Sequence, residues 1–234
     1  PKAWNQKMLA DEHLRVVYFN QNSVELFPNT DIKGGVAVLY RDINTKFGKI
    51  GVFTSHNELS GITEKVENHV GFNPLVPILN VQNKYNLAVV YRDYPQLKKR
   101  IGNEGRDRRL RKNAFDMLPE LFTESKVIEL SYQILGLVNK KRVYRFIPQK
   151  YIEQNLVITK YKVLLPTSNG TGAIGEVLST PLIGEPLIGE PLIGFTQTFI
   201  SVGAFETEAE AQNCLKYIKS RFARTMLGVL KITQ

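Results

Sequence analysis

The chain has 234 residues, 43% of them hydrophobic and 23% charged, an ordinary soluble composition that can bury a core in one large domain or two small ones. With 31 Lys and Arg against 22 Asp and Glu it carries +9, which favours a polyanionic partner, the alternative being a merely soluble basic protein. A single cysteine, Cys214, excludes an internal disulfide framework and a cysteine-rich zinc site; the 3 histidines are scattered without ligand spacing, so no metal is assigned.

No apolar run reaches the roughly 18 to 20 residues of a bilayer span and no signal peptide opens the chain, so no membrane partner is expected and a reducing cytoplasm fits. Pro1 and Gln234 both read as cut ends of a longer polypeptide.

In chain order, residues 4–12 read as a short helix and 14–19 as a strand. Val36, Ala37, Val38, Leu39 and Tyr40 then form an unbroken apolar run bounded by turn signals, which predicts a buried strand after the polar loop 20–29. Together these make half of an α/β unit. Residues 50–53 suggest a third short strand, and Asn57 caps a helix through Val66 with Glu64 and Lys65 facing solvent. Gly71, Pro74 and Pro77 interrupt the periodicity and place a soft domain boundary within residues 69–77.

The window 98–112 holds Lys98, Lys99, Arg100, Arg106, Arg108, Arg109, Arg111 and Lys112 against only Glu104 and Asp107, and so carries +6 of the net +9. Such concentration suits a surface that tracks phosphates, because each neutralised phosphate releases condensed counterions. A solvated charged helix is the other reading.

Residues 115–122 predict a helix, and 142–147, 161–165 and 198–202 predict strands rich in β-branched and aromatic side chains. One long helix is expected over residues 206–231. Thr207 and Glu210 form its capping box, Leu215, Ile218, Phe222, Met226 and Val229 its core stripe, and Lys216, Lys219 and Arg224 a basic face open to backbone contact.

Three motifs invite chemistry. Gly170-Thr171-Gly172-Ala173-Ile174-Gly175 has dinucleotide-fingerprint spacing, but the residues after it read as strand running into Pro181 rather than as the helix that would receive a pyrophosphate. A glycine loop that lets backbone approach a DNA strand, with Asn169 beside it, suits the context better. Glu124-Ser125-Lys126 has the acidic-x-Lys form of a magnesium nuclease site, but its only upstream carboxylate, Asp116, falls in a predicted helix at a spacing too short for the usual hairpin, so a surface triplet is the better reading. Pro181-Leu182-Ile183-Gly184-Glu185 is followed by a second copy and by a third lacking its Glu, which predicts a protruding loop or an edge hairpin, since proline every fifth residue opposes helix and central strand.

Four segments carry a resemblance: Phe27-Pro28-Asn29-Thr30-Asp31-Ile32-Lys33-Gly34-Gly35, Tyr161-Lys162-Val163-Leu164-Leu165-Pro166 with its glycine loop, Gln197-Thr198-Phe199-Ile200-Ser201-Val202-Gly203, and the run from Leu215 to Arg224. They resemble the C-terminal half of TaqI-like, gamma-class adenine-N6 DNA methyltransferases of type II restriction-modification systems, including forms fused to a nuclease. The resemblance implies an α+β chain. Residues 1–69 would be the remnant of an α/β methyltransferase sheet and residues 70–234 a mixed α+β target recognition domain.

By the same resemblance Phe27 stacks on the adenine flipped from the duplex, an ordinary core role being the alternative. The partner is double-stranded DNA. Phosphates would be held by the basic window, and base edges would lie near Asn169, Gly170 and Gly172. Neither an Asn-Pro-Pro-Tyr catalytic motif nor a glycine-containing S-adenosylmethionine motif occurs in the chain, so no cofactor and no catalytic residue is assigned to it. Methyl transfer would need that cofactor bound by missing N-terminal methyltransferase regions. A non-catalytic subunit scaffold and a nuclease using Glu124 and Lys126 remain the rival functions.

Overall fold

A computed structural model describes residues 2–30, 32, 34–51, 53–54, 57–101, 108–167 and 185–230. The chain is mixed α+β and divides into two compact units, one of residues 1–73, 171–176 and 225–234, the other of residues 74–170 and 177–224.

In the first unit, α1 (Lys2–Ala10) leads into β1 (Leu14–Asn20), which pairs with β2 (Val36–Arg41). Asp11 ties the joint, accepting from Arg41 Nε at 2.8 Å and from the His13 N–H at 2.9 Å; these bonds, Arg41 first, hold its carboxyl below the ordinary range. The pairing is antiparallel, whereas an α/β unit joins parallel strands through a helix. The strand expected over 36–40 forms as β2 but is not buried: Val38, Leu39 and Tyr40 are 47%, 42% and 46% exposed, because a two-stranded ribbon has no second layer over its faces. Residues 50, 51 and 53 form no strand; Gly51 N–H donates to Leu9 O at 3.0 Å, and the Phe53 ring meets Phe19 edge-on at 5.2 Å. α2 (Asn57–Glu67) matches the expected helix, with Glu64 and Lys65 exposed and the Thr63 hydroxyl turned back onto Leu59 O at 2.8 Å.

The second unit runs β3 (Leu79–Asn80), α3 (Leu87–Asp93), α4 (Lys98–Ile101), α5 (Ala114–Met117), β4 (Ser131–Val138), β5 (Lys141–Pro148), β6 (Tyr161–Pro166), β7 (Leu187–Gly189), β8 (Ile193–Phe195), β9 (Phe199–Phe205) and α6 (Glu208–Lys219). One sheet has the order β3-β9-β6-β7 and is antiparallel; the other has the order β5-β4-β8, with β4 and β8 parallel.

Side-chain alternation fixes the layers. Val163 and Leu165 of β6 and Val202 of β9 pack with Ile218 of α6, while Leu164, one residue out of phase, packs with Leu135 of β4, Phe195 and Phe199 between the sheets. Ile134 of β4 and Ile147 of β5 face the other way, onto Val90, Leu97, Leu110, Phe115 and Leu118 from the short helices and their connections. Gly136 lets this layer close down, since a Cβ there would lie 2.5 Å from the Phe115 ring.

The helix expected over 115–122 ends at Met117. Pro119 forces Leu118 out of the helical region, to φ −133° and ψ 55°, and a 3-10 turn Pro119–Leu121 follows. The long C-terminal helix is also broken. Ser220 takes ψ 152°, ending α6, and its hydroxyl accepts from Ala223 N–H at 3.1 Å to cap α7 (Arg221–Leu230). The expected core stripe therefore does not continue across the break, and Phe222 is 39% exposed.

Two features of the second unit are not written in local sequence. Lys162 lies in β6 with no exposed surface, and its ammonium donates to the carbonyls of Lys160 at 2.9 Å, Val157 and Glu190 at 3.0 Å, and Ile158 at 3.3 Å. Burial pushes its pKa down to about 7, against the preference of four carbonyl dipoles for the charged form. Residues 181–184, the first copy of the pentapeptide repeat but for Glu185, lie outside the described residues; the second and third copies are not a protruding loop or a hairpin, since the second supplies β7, at the edge beside β6, and the third supplies β8, parallel to β4 in the other sheet. Pro186, Gly189 and Gly194 are buried. Leu187 is extended in β7, yet Leu192, the same residue of the next copy, has φ 68° and is 46% exposed.

Candidate nucleic-acid interface

Phe27 sits on a loop stitched by its own polar side chains. Ser23, 3% exposed, donates its hydroxyl proton to Thr30 O at 3.0 Å and accepts from Ile32 N–H at 2.9 Å. The Glu25 carboxylate accepts from Asn20 Nδ2 at 2.8 Å and Asn22 Nδ2 at 3.0 Å, and these two bonds lower its pKa. Phe27 N–H donates to Ser23 O at 2.8 Å, which leaves the ring 51% exposed rather than packed as core. Gly35 closes the loop at φ +84°, where a Cβ would stand 2.5 Å from Asn20 O. The polar loop and the glycine thus build a firm pedestal for an uncovered aromatic ring.

The basic window is not one helix. Lys98, Lys99 and Arg100 lie on the single turn α4, anchored because Leu97 and Ile101 are buried on either side. Arg100 turns inward to Glu120, at 2.5 Å, and to the Met117 carbonyl. That contact, first among its causes, holds the Glu120 carboxyl below the ordinary range. Arg106 lies outside the described residues. Arg108 pairs with Glu153 at 3.1 Å, Arg109 and Lys112 are exposed, and Arg111 is half-buried. Among the described residues Lys98, Lys99, Arg109 and Lys112 make no ion pair, so their charges remain for a partner.

From Arg108 the chain extends between two other segments. Leu110 N–H donates to Asn83 O at 2.9 Å, and Leu110 O accepts from Gln197 N–H at 2.7 Å. Gln197 belongs to the turn 196–198 that joins β8 to β9, where Thr198 O accepts both the N–H and the hydroxyl of Thr167 at 2.9 Å. Thr167 is where the chain enters the glycine segment. The end of the basic window and the root of that segment therefore meet on one turn, although some 60 residues separate them in sequence. Asn169, Gly170 and Gly172 themselves lie outside the described residues.

Gln197 is exposed between buried Thr196 and Thr198 and was not singled out by pattern. Its sequence signals are its place at the head of the segment 197–203 and a polar side chain in the turn before a strand. Lys216, Lys219 and Arg224 do not form a continuous basic face, because the break at Ser220 separates them and Lys219 pairs with Glu185 at 2.8 Å.

The acidic-x-Lys triplet lies on the connection between α5 and β4. Glu124 reaches Arg145 at 2.8 Å, and among the described residues no group of three or more His, Cys, Asp or Glu could hold a metal ion. Cys214 is half-buried, and burial raises its thiol pKa. No described helix is long and apolar enough to cross a membrane. Comparison with protein families, with curated proteins and with solved structures gave no match.

Proposed function

We propose that this chain is the DNA-recognition part of a site-specific adenine-N6 methyltransferase of a restriction-modification system. The second unit grips duplex DNA, and the first offers Phe27 to the flipped adenine. The observation that carries the reading is the meeting of residues 108–110 with the root of the glycine segment on the turn 196–198. Phosphate contacts fix register and base contacts specify, so a functional interface needs both kinds of group side by side. Lys98, Lys99, Arg109 and Lys112 supply the first kind, and Asn169 with the glycines, joined by Gln197, supplies the second.

Phe27 supports the same reading. A flipped base forfeits stacking worth a few kcal/mol, and an exposed ring on a rigid loop returns part of that without reorganising. The apolar side chains left uncovered on β1 and β2 suit a ribbon that joins further methyltransferase sheet. In this reading S-adenosylmethionine and the catalytic motif belong to that missing part, and the chain alone transfers no methyl group.

Fluorescence anisotropy with a labelled random duplex over a salt series tests the proposal. Affinity should fall with salt at a log–log slope of about −0.9 per phosphate contacted. Absence of binding at low salt would leave the scaffold function instead. Calorimetry should find no saturable S-adenosylmethionine binding to the chain alone.

A further inference from the structure

We infer that Lys84, which lies outside the basic window, forms with Arg109 a two-cation clamp on a single backbone phosphate of duplex DNA. The inference rests on the DNA-binding reading above and deepens it. Tyr85 N–H donates to Arg108 O at 2.7 Å, and Leu110 N–H donates to Asn83 O at 2.9 Å. These two bonds frame Lys84 and Arg109 as bridge partners in an antiparallel pairing. They are the non-hydrogen-bonded pair of that ladder, the register in which facing side chains leave the same side and stand closest.

Two cations in that register repel each other, and the backbone cannot relax to separate them. Tyr85 and Leu110, the residues that follow them, are both fully buried in the helical-side core. The adjoining acid does not neutralise them either. Glu153 is bonded through its N–H to Lys84 O at 2.9 Å, but its carboxylate is engaged by Arg108 at 3.1 Å. Among the described residues neither Lys84 nor Arg109 makes an ion pair, and Arg109 is exposed.

An anion held between the two removes the repulsion and gains both attractions. A phosphate diester suits the pair: the planar guanidinium forks onto two oxygens, while the ammonium acts as a compact point charge that adjusts around it. The site is preformed, since both backbones are pinned before any DNA arrives.

The test uses anisotropy with a random duplex over a salt series on the wild type, Lys84→Gln, Arg109→Gln and the double variant. One shared phosphate means that the double variant loses about 0.9 of salt slope and roughly tenfold in affinity near 0.1 M salt. Two separate phosphates would cost about 1.8 of slope and would overturn the clamp, as would an unchanged slope. Lys84→Glu supplies a readout of a different kind. It places a carboxylate opposite Arg109, so it should raise Tm while weakening DNA binding at least as much as Lys84→Gln. A lowered Tm would show that the two side chains do not face each other. Failure of the wild type itself to bind duplex would overturn the DNA-binding reading, whereas wild-type binding with an indifferent double variant would overturn the clamp alone.

Discussion

Lys162→Met should reshape the pH dependence of stability more than its level at any one pH. The folded-state pKa of Lys162 is pushed to about 7 from an ordinary 10.5, so between those values the unfolded chain holds a proton that the folded chain does not. Stability therefore rises with pH across that window. The contribution is complete above 10.5 and is lost as pH falls to about 7. Burial acting alone would make the swing about 5 kcal/mol at roughly 1.4 kcal/mol per pH unit. The four carbonyls favour the charged ammonium and reduce it, so we expect about 2–4 kcal/mol.

Methionine removes the titration and keeps most of the volume. Three of the carbonyls retain a backbone donor without the lysine: Val157 O from Lys160 N–H at 3.4 Å, Ile158 O from Leu192 N–H at 2.7 Å, and Glu190 O from Ile193 N–H at 3.2 Å. Only Lys160 O loses its donor, so the variant should fold, at a cost of about 1–3 kcal/mol set against relief of a buried charge. Urea denaturation from pH 6 to 10.5 on both proteins gives the difference curve. The wild type should gain on the variant as pH rises. A constant difference would mean that the carbonyl cage fully compensates for burial and that the argument from desolvation is wrong.

Three further substitutions probe neighbouring claims. Gly194→Ala would put a Cβ 2.7 Å from Ile134 Cδ1 and 2.8 Å from Asn83 Oδ1, disturbing the Asn83 bond to Phe195 N–H; it should destabilise by about 1–3 kcal/mol in urea titration. Leu192→Gly, at φ 68° and 46% exposed, relieves backbone strain at little loss of burial and should be neutral or stabilising by up to about 1 kcal/mol, read as a shift in Tm. Phe27→Ala should change stability by less than about 0.5 kcal/mol and, under the proposed function, should lower turnover of the methyltransferase more than duplex affinity. Equal losses in both, with a fall in Tm, would assign the ring to packing instead.

Local chemistry was well written in the chain. Thr207 and Glu210 build the capping box their spacing announces, with Glu210 N–H donating to the Thr207 hydroxyl at 3.3 Å and Thr207 N–H to the Glu210 carboxylate at 3.1 Å. Runs of β-branched and aromatic side chains marked β5, β6 and β9 for the same reason: the pattern and the structure share a length scale of a few residues. Ser220 shows where this stops, because apolar spacing continues through a residue whose hydroxyl finds a better role as a cap. β4 and α3 are not announced by periodicity, since burial on both faces erases alternation in Ser131–Val138. Lys162 reads as an ordinary strand charge, and only chain folding from 157 to 190 reveals its carbonyl ligands. The facing of Lys84 and Arg109 is likewise a product of pairing between distant segments. In the candidate interface, the charge of the window was legible, while Arg100 and Arg108 proved partly spent on internal carboxylates.

The repeat contains a redundancy with a practical outcome. Its first two copies are identical, so excising residues 186–190 yields the same polypeptide as excising residues 181–185, and the surviving copies are free to step forward into the β7 and β8 positions. The shortening is then borne by the stretch between Thr167 and Glu185, which carries the glycines, and the sheets keep their full complement of strands. What goes missing at the seam is Glu185 itself: Thr180 takes its place, deleting the exposed pair with Lys219 and leaving only a main-chain oxygen to accept from Arg142, whose Nη2 now donates to Glu185 O at 2.5 Å. A five-residue deletion should consequently melt within a few degrees of the parent in calorimetry and, under the proposed DNA-binding function, alter which duplexes are preferred. Expansion or contraction of this tract during replication would act as a length dial on the stretch between Thr167 and Glu185 without touching the sheets on either side of it and, under the proposed function, would retune recognition.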